Sequence, residues 1–158
     1  MENRQPNNSV SVCLNAESLS KGRNINGELW LEIAGFDFPG KYWSDFPEII
    51  LGWWLEALTK LWSERKRKAN CSFMDGPYYF IVERGECGHT LRCYRSRVNT
   101  EECQWEGEVN LEALLRQTLK AASLVLTECH KRGWETRETQ ALTSLWMNVD
   151  GVINPASV

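Results

Sequence analysis

Trp43-Ser44-Asp45-Phe46-Pro47-Glu48-Ile49-Ile50-Leu51-Gly52-Trp53-Trp54-Leu55-Glu56-Ala57-Leu58-Thr59-Lys60-Leu61-Trp62 is the stretch that decides the fold. Phe46, Ile49, Ile50, Trp53, Trp54, Ala57, Leu58, Leu61 and Trp62 recur at steps of three and four, the period of one buried helical face. Glu48, Gly52, Glu56, Lys60 and Ser63 follow the opposite stripe and read as its solvent face. Ser44 suits an N-cap, Asp45 places negative charge at the positive end of the helix dipole, and Pro47 falls in the first turn, where a missing N–H costs little. The pattern therefore predicts a helix over 44–66. Its three tryptophans form a heavy apolar anchor, since each aromatic side chain can bury about 150–250 Å².

Upstream, the chain changes to period two. Val10, Val12 and Leu14 alternate with Ser9, Ser11 and Cys13, giving a short strand, and a Ser/Lys/Gly/Asn-rich loop follows to Gly27. Leu29, Leu31 and Ile33 alternate with Glu28, Trp30 and Glu32, which places Trp30 between two glutamates on the face away from the leucines. Trp30 has two readings. Either another segment covers it as a satellite core, or it is an aromatic anchor with an acidic rim, the composition of a binding hot spot. Gly35-Phe36-Asp37-Phe38-Pro39-Gly40 reads as a turn.

Downstream of the helix, Arg65-Lys66-Arg67-Lys68 can resemble a nucleic-acid patch, but cations at a helix C-terminus also offset its dipole and keep the end solvated. Residues 70–109 predict an antiparallel meander: Cys71–Met74, the turn Asp75-Gly76-Pro77, Tyr78–Glu83, the loop Gly85–Gly88, His89–Val98 and Cys103–Val109. In the last strand Trp105 and Val109 read onto one face, and Glu102, Gln104, Glu106 and Glu108 onto the other. Such an acidic ladder is either a solvated edge kept from aggregating or a patch that steers a basic partner.

Asn110 caps a second predicted helix, 110–132, with Leu111, Leu114, Leu115, Leu119, Ala122, Val125, Leu126 and Cys129 in helical period. Lys131-Arg132-Gly133 is a complete stop. Thr136 caps a short third helix with Leu142, Leu145, Trp146 and Val149 inward, ending at Asp150-Gly151. Residues 1–8 and 152–158 read as loose tails. The expected architecture is a single α+β domain, an antiparallel sheet of about five or six strands packed against two long helices and a short C-terminal one.

A 158-residue chain can bury roughly two-thirds of its unfolded surface in one domain. Its net charge of −3 argues against a dedicated nucleic-acid or anionic-membrane binder. No apolar run reaches the ~20 residues of a membrane span, and the polar N-terminus is not a signal peptide, so a cytoplasmic protein is expected. Six cysteines without an export signal read as reduced thiols. Cys87-Gly88-His89 with Cys93 and Cys103 has a trace of metal-site spacing but no repeated short pair. No nucleophile elbow, phosphate-binding glycine loop or HExxH motif is present, and His89 and His130 are the only histidines. No cofactor and no enzymatic activity are expected from these residues.

Trp43-Ser44-Asp45-Phe46 with Ile50-Leu51-Gly52-Trp53-Trp54-Leu55, then Phe73-Met74-Asp75-Gly76-Pro77-Tyr78 opening the meander, then a helix closing on Gly133-Trp134, resembles the immunity proteins of bacterial polymorphic toxin systems, those of contact-dependent growth inhibition in particular. The resemblance spans most of residues 27–146 and lies in packing motifs. It implies a cytoplasmic, non-enzymatic protein that binds and neutralises the C-terminal domain of a cognate toxin, a basic nuclease being the best match to the acidic surface. Read from the residues, Glu28, Trp30, Glu32, Glu106 and Glu108 are the candidate contacts. Two other readings stand beside this one. They are a small-molecule pocket lined by Phe36, Phe38 and Tyr42, and a metal-dependent regulator or enzyme using Cys87, His89, Cys93 and Cys103.

Overall fold

The central helix, α1, runs Pro47–Trp62, three residues later at its start than the pattern predicts. The reason is Asp45. Its carboxylate is buried and accepts hydrogen bonds from the Phe46 N–H (2.8 Å), the Trp43 indole N–H (3.0 Å) and the Asp75 N–H (3.1 Å). An acid tying two loops together in this way is held in extended backbone, so Ser44–Asp45 forms a short strand and Phe46 occupies the N-cap without a side-chain cap. Pro47 stands in the first turn as expected. At the other end Ser63 is the C-cap and Glu64 takes a left-handed φ of 63°, so 63–66 leave the helix.

The buried stripe of α1 is also rotated from the expected one. Pro47, Glu48, Ile50, Leu51, Trp54, Leu55, Leu58 and Leu61 face inward, while Trp53 is 44% exposed and Trp62 half-buried. Both stripes satisfy a three–four step, and neighbours on other elements decide between them. Glu48, expected in solvent, is buried. One carboxylate oxygen accepts the Ile25 N–H at 3.3 Å, and the other has no hydrogen-bond partner among the described residues. Burial pushes this carboxyl up to about 7, with smaller contributions from Glu138 and Asp45.

The computed structural model describes residues 8–155. In chain order the strands are β1 (Val10–Lys21), β2 (Ile25–Ile33), β3 (Phe36–Phe38) and β4 (Ser44–Asp45) before α1, and β5 (Lys68–Ser72), β6 (Tyr78–Arg84), β7 (His89–Arg97) and β8 (Thr100–Val109) after it. Helices α2 (Leu111–Lys131) and α3 (Arg137–Ile153) complete the chain. The α+β class and antiparallel pairing are as expected, but the strands form two four-stranded sheets rather than one of five or six. The first has order β1-β2-β3, with β4 paired to β2 beyond β3; the second is the meander β5-β6-β7-β8. The segment expected as a loop to Gly27 is instead a hairpin, with an irregularity between Asn15 and Ser20.

A parallel bridge between Asn8 and Val109 joins the two sheets. Paired residues in a bridge share a side, and Val109 is buried, so the inner faces of the sheets run into one another here, as do the outer faces. Gly107 leaves space for the indole of Trp105 at this junction; a Cβ would lie 2.6 Å from it. Phe38 forms edge-to-face pairs with Phe73 (5.7 Å) and Tyr78 (5.8 Å), tying β3 to the meander. One hydrophobic core takes side chains from every element but β4. All three helices contribute to it; α1 and α2 lie against the strands, and α3 packs on those two helices.

Asn110 caps α2, accepting the Ala113 N–H at 2.9 Å, and Gly133 follows it with a left-handed φ of 71°. Thr136 and Thr139 form a reciprocal capping box at the start of α3. This helix is longer than expected, continuing through Gly151 to Ile153, whose side chain is buried. Of the expected tails, Asn8, Val152 and Ile153 are thus ordered parts of the fold, and residues 1–7 and 156–158 lie outside the described residues. No described helix is long and apolar enough to cross a membrane.

Candidate interaction surface

The outer side of the two sheets is the face that no helix covers. Its composition follows from register. In β6 and β7 the residues Phe80, Val82, Leu91 and Cys93 point into the core, so Tyr79, Ile81 and Glu83, then Thr90, Arg92, Tyr94 and Ser96, point out. Cross-strand pairing arranges them in rows: Lys68–Glu83–Thr90–Glu108, Asn70–Ile81–Arg92–Glu106, and Ser72–Tyr79–Tyr94–Cys103, with Ser96 beside Glu101.

A bulge corrects the expected acidic ladder. Cys93 pairs with Trp105 but Tyr94 with Cys103, so Gln104 is an extra residue in β8 and alternation reverses there. Glu106 and Glu108 remain outward, Glu101 joins them, and Glu102 pairs with Arg95 in the inward phase. The three outward acids belong to a connected polar face. Arg92 bridges Glu83 and Glu106 at 3.0 Å each, and these hydrogen bonds raise its already high pKa. Tyr79 and Tyr94 stack with centroids 5.2 Å apart and planes 18° apart. The Tyr79 hydroxyl donates to Glu101 at 2.7 Å; burial and then this bond push the phenol up to about 12.

The first sheet continues this side. Ser11, Cys13 and Asn15 of β1 pair with Glu32, Trp30 and Glu28 of β2, and Asp37 of β3 pairs with Glu32. Trp30 is only 8% exposed. Tyr42, at 58% exposure, lies edge-on to it at 5.3 Å and is held there by a left-handed φ of 63°. The satellite-core reading of Trp30 thus describes its packing, and Tyr42 is the aromatic ring presented to solvent. The Trp30 indole N–H has no hydrogen-bond partner among the described residues. The Cys13 thiol is pushed up by burial and then by the charges of Glu32 and Asp37, which places both carboxylates around this patch.

The five candidate contacts therefore share one side but fall into two patches: Glu28, Trp30 and Glu32 on the first sheet, Glu106 and Glu108 on the second. The rows contain seven carboxylates (Glu28, Glu32, Asp37, Glu83, Glu101, Glu106, Glu108) and two cations (Lys68, Arg92). Glu32, Asp37 and Glu108 have no ion-pair partner among the described residues. Tyr42, Tyr79 and Tyr94 were not legible as surface aromatics. The Tyr78-Tyr79 doublet conceals which ring faces out, and only the pairing of Tyr79 with Tyr94 settles it.

The other expected sites are dispersed. Phe38 is wholly buried in the core, Phe36 half-buried and Tyr42 on the outer side, so these rings do not line one pocket. Cys93 is buried on the inner face, Cys103 exposed on the outer, and Cys87 lies in the loop before His89. No group of three or more Cys, His, Asp or Glu side chains converges as a metal set among the described residues. Burial, and then Arg84, lower the pKa of His89. Comparison of the chain with protein-family models, curated proteins and solved structures finds no match.

Proposed function

We propose that the chain is a cytoplasmic, non-enzymatic immunity protein that neutralises the C-terminal domain of a cognate toxin, and that it does so with the outer side of its sheets. The observation that supports this reading is the helix-free side on which tyrosines stand among seven carboxylates and three cations, Lys68, Arg92 and Lys41, the last over the Tyr42 ring at 5.2 Å. Acids in such excess accelerate encounter with a basic surface, and the aromatics among them supply contact area that can be desolvated. A toxin that handles a polyanion such as nucleic acid has the complementary charge around its active site. Tyr42 and the Tyr79–Tyr94 stack are the contact rings, and Trp30 supports Tyr42 from below.

The test is co-expression with the toxin domain encoded immediately upstream, read as growth and as co-purification. A stable complex with rescued growth is expected. Glu32→Lys with Glu108→Lys should lower the association rate at least tenfold at low salt, both being exposed acids with no ion-pair partner among the described residues. A demonstrably toxic neighbour that neither binds nor is neutralised would refute the proposal.

A further inference from the structure

At the margin of the outer side, the edge of β5 lies beside α1 and forms a groove of about 280 Å³ whose lining includes Trp53, Glu56, Lys60, Lys66, Lys68 and Asn70. The direction of the backbone groups follows from the ladder. The Phe73 N–H donates to Tyr78 and the Arg84 N–H donates to Arg67, so the odd residues of this strand bond to β6. The even residues Lys68, Asn70 and Ser72 must turn their N–H and C=O groups to the free edge. The Ser72 carbonyl is taken by the Trp54 indole N–H at 2.8 Å, which closes that end of the groove. The edge groups of Lys68 and Asn70 have no partner among the described residues.

We infer that this groove binds an extended, acidic peptide segment of a partner protein as an added strand on β5. Each part of the site matches one property of that occupant. The unpaired N–H and C=O groups of Lys68 and Asn70 require a backbone in extended form. Trp53, 44% exposed beside Ala57, gives its inward side chains an apolar wall. Lys66 and Lys68 have no ion-pair partner among the described residues, and Lys60 is shared with Glu56 at 3.3 Å, so the mouth is cationic. A second copy of this chain does not fit, because pairing two β5 edges brings Lys66 and Lys68 of each copy together. Both backbone groups of Lys66 are taken, its N–H by the Lys60 carbonyl and its C=O by the Arg84 guanidinium, so the free edge runs from Lys68 to Asn70 and, at about 3.3 Å per residue, pairs with about three residues.

The experiment is selection of displayed random heptapeptides on the full chain, followed by synthesis of the best binder. Enrichment of Asp and Glu around a β-branched centre is expected. In the complex the amides of Lys68 and Asn70 should exchange with solvent at least tenfold more slowly, while those of Ala69 and Cys71, already bonded to β6, should not change. Lys66→Glu with Lys68→Glu should weaken binding at least tenfold, as should N-methylation of alternate peptide residues. The inference is overturned if selection returns no acidic peptide. It is equally overturned if the binder tolerates both changes, or if a single-stranded oligonucleotide binds the same lysines without protecting the two amides.

Discussion

Replacing Glu48 with Gln tests the packing of the α1 N-terminus through a proton. Glu48 is 3% exposed, and burial raises its carboxyl from 4.5 to about 7. A carboxyl with a higher pKa folded than unfolded holds more protons in the native state between the two values. Its contribution is therefore greatest below pH 4.5 and is lost as pH rises through 7. At about 1.36 kcal/mol per pH unit, the full loss is about 3 kcal/mol. The groups around it sharpen the effect, since Glu138 at the start of α3 and Asp45 before α1 both oppose its ionisation. Gln keeps the oxygen that accepts the Ile25 N–H and cannot ionise. Urea unfolding of both proteins from pH 4.5 to 8.5 should give curves that diverge with pH, the variant gaining about 3 kcal/mol relative to the wild type. In thermal unfolding the same gain is about 6–12 °C for a domain of this size. Parallel pH profiles would refute the reasoning, because they would mean that the Glu48 carboxyl titrates alike folded and unfolded.

Two other substitutions or probes follow from the same core. Asp45→Ala leaves the Trp43, Phe46 and Asp75 N–H groups without their acceptor and should destabilise the chain by about 3 kcal/mol or more, read by urea unfolding; a loss under about 1 kcal/mol would show that these donors find water. In the native protein an aromatic disulfide reagent should modify Cys87 and Cys103 rapidly. Cys71, Cys93 and Cys129, whose thiols are buried and pushed up by that burial, should react only in denaturant. Rapid modification of Cys93 would contradict the register of β7.

Local rules made some of this structure legible and long-range pairing hid the rest. Asn110, Thr136 and Gly133 act on neighbours a few residues away, and the limits of α2 and the start of α3 follow from them. Ser44 and Asp45 look equally like a helix start, but Asp75, thirty residues on, claims the carboxylate. The cover over Trp30 is equally remote, since Tyr42 reaches it only because of the turn between β3 and β4. The bulge at Gln104 has no local signature. An added residue leaves the polar–apolar alternation of Trp105 to Val109 intact and merely reverses which side its continuation faces. That single residue exchanges Glu102 for Glu101 in the candidate surface.

The net charge of −3 is an average over two unlike regions. On the outer side of the sheets carboxylates outnumber cations, and Arg92 is already held between Glu83 and Glu106. At the end of α1 and the edge of β5, Lys60, Lys66 and Lys68 gather around an exposed tryptophan. Charges separated by more than a Debye length, about 8 Å at physiological ionic strength, do not cancel for a partner approaching at contact distance. A near-neutral composition therefore does not argue against electrostatic recognition here. It permits one surface that attracts cations and another that attracts anions, with Lys68, at the border of both, the residue whose charge each must accommodate.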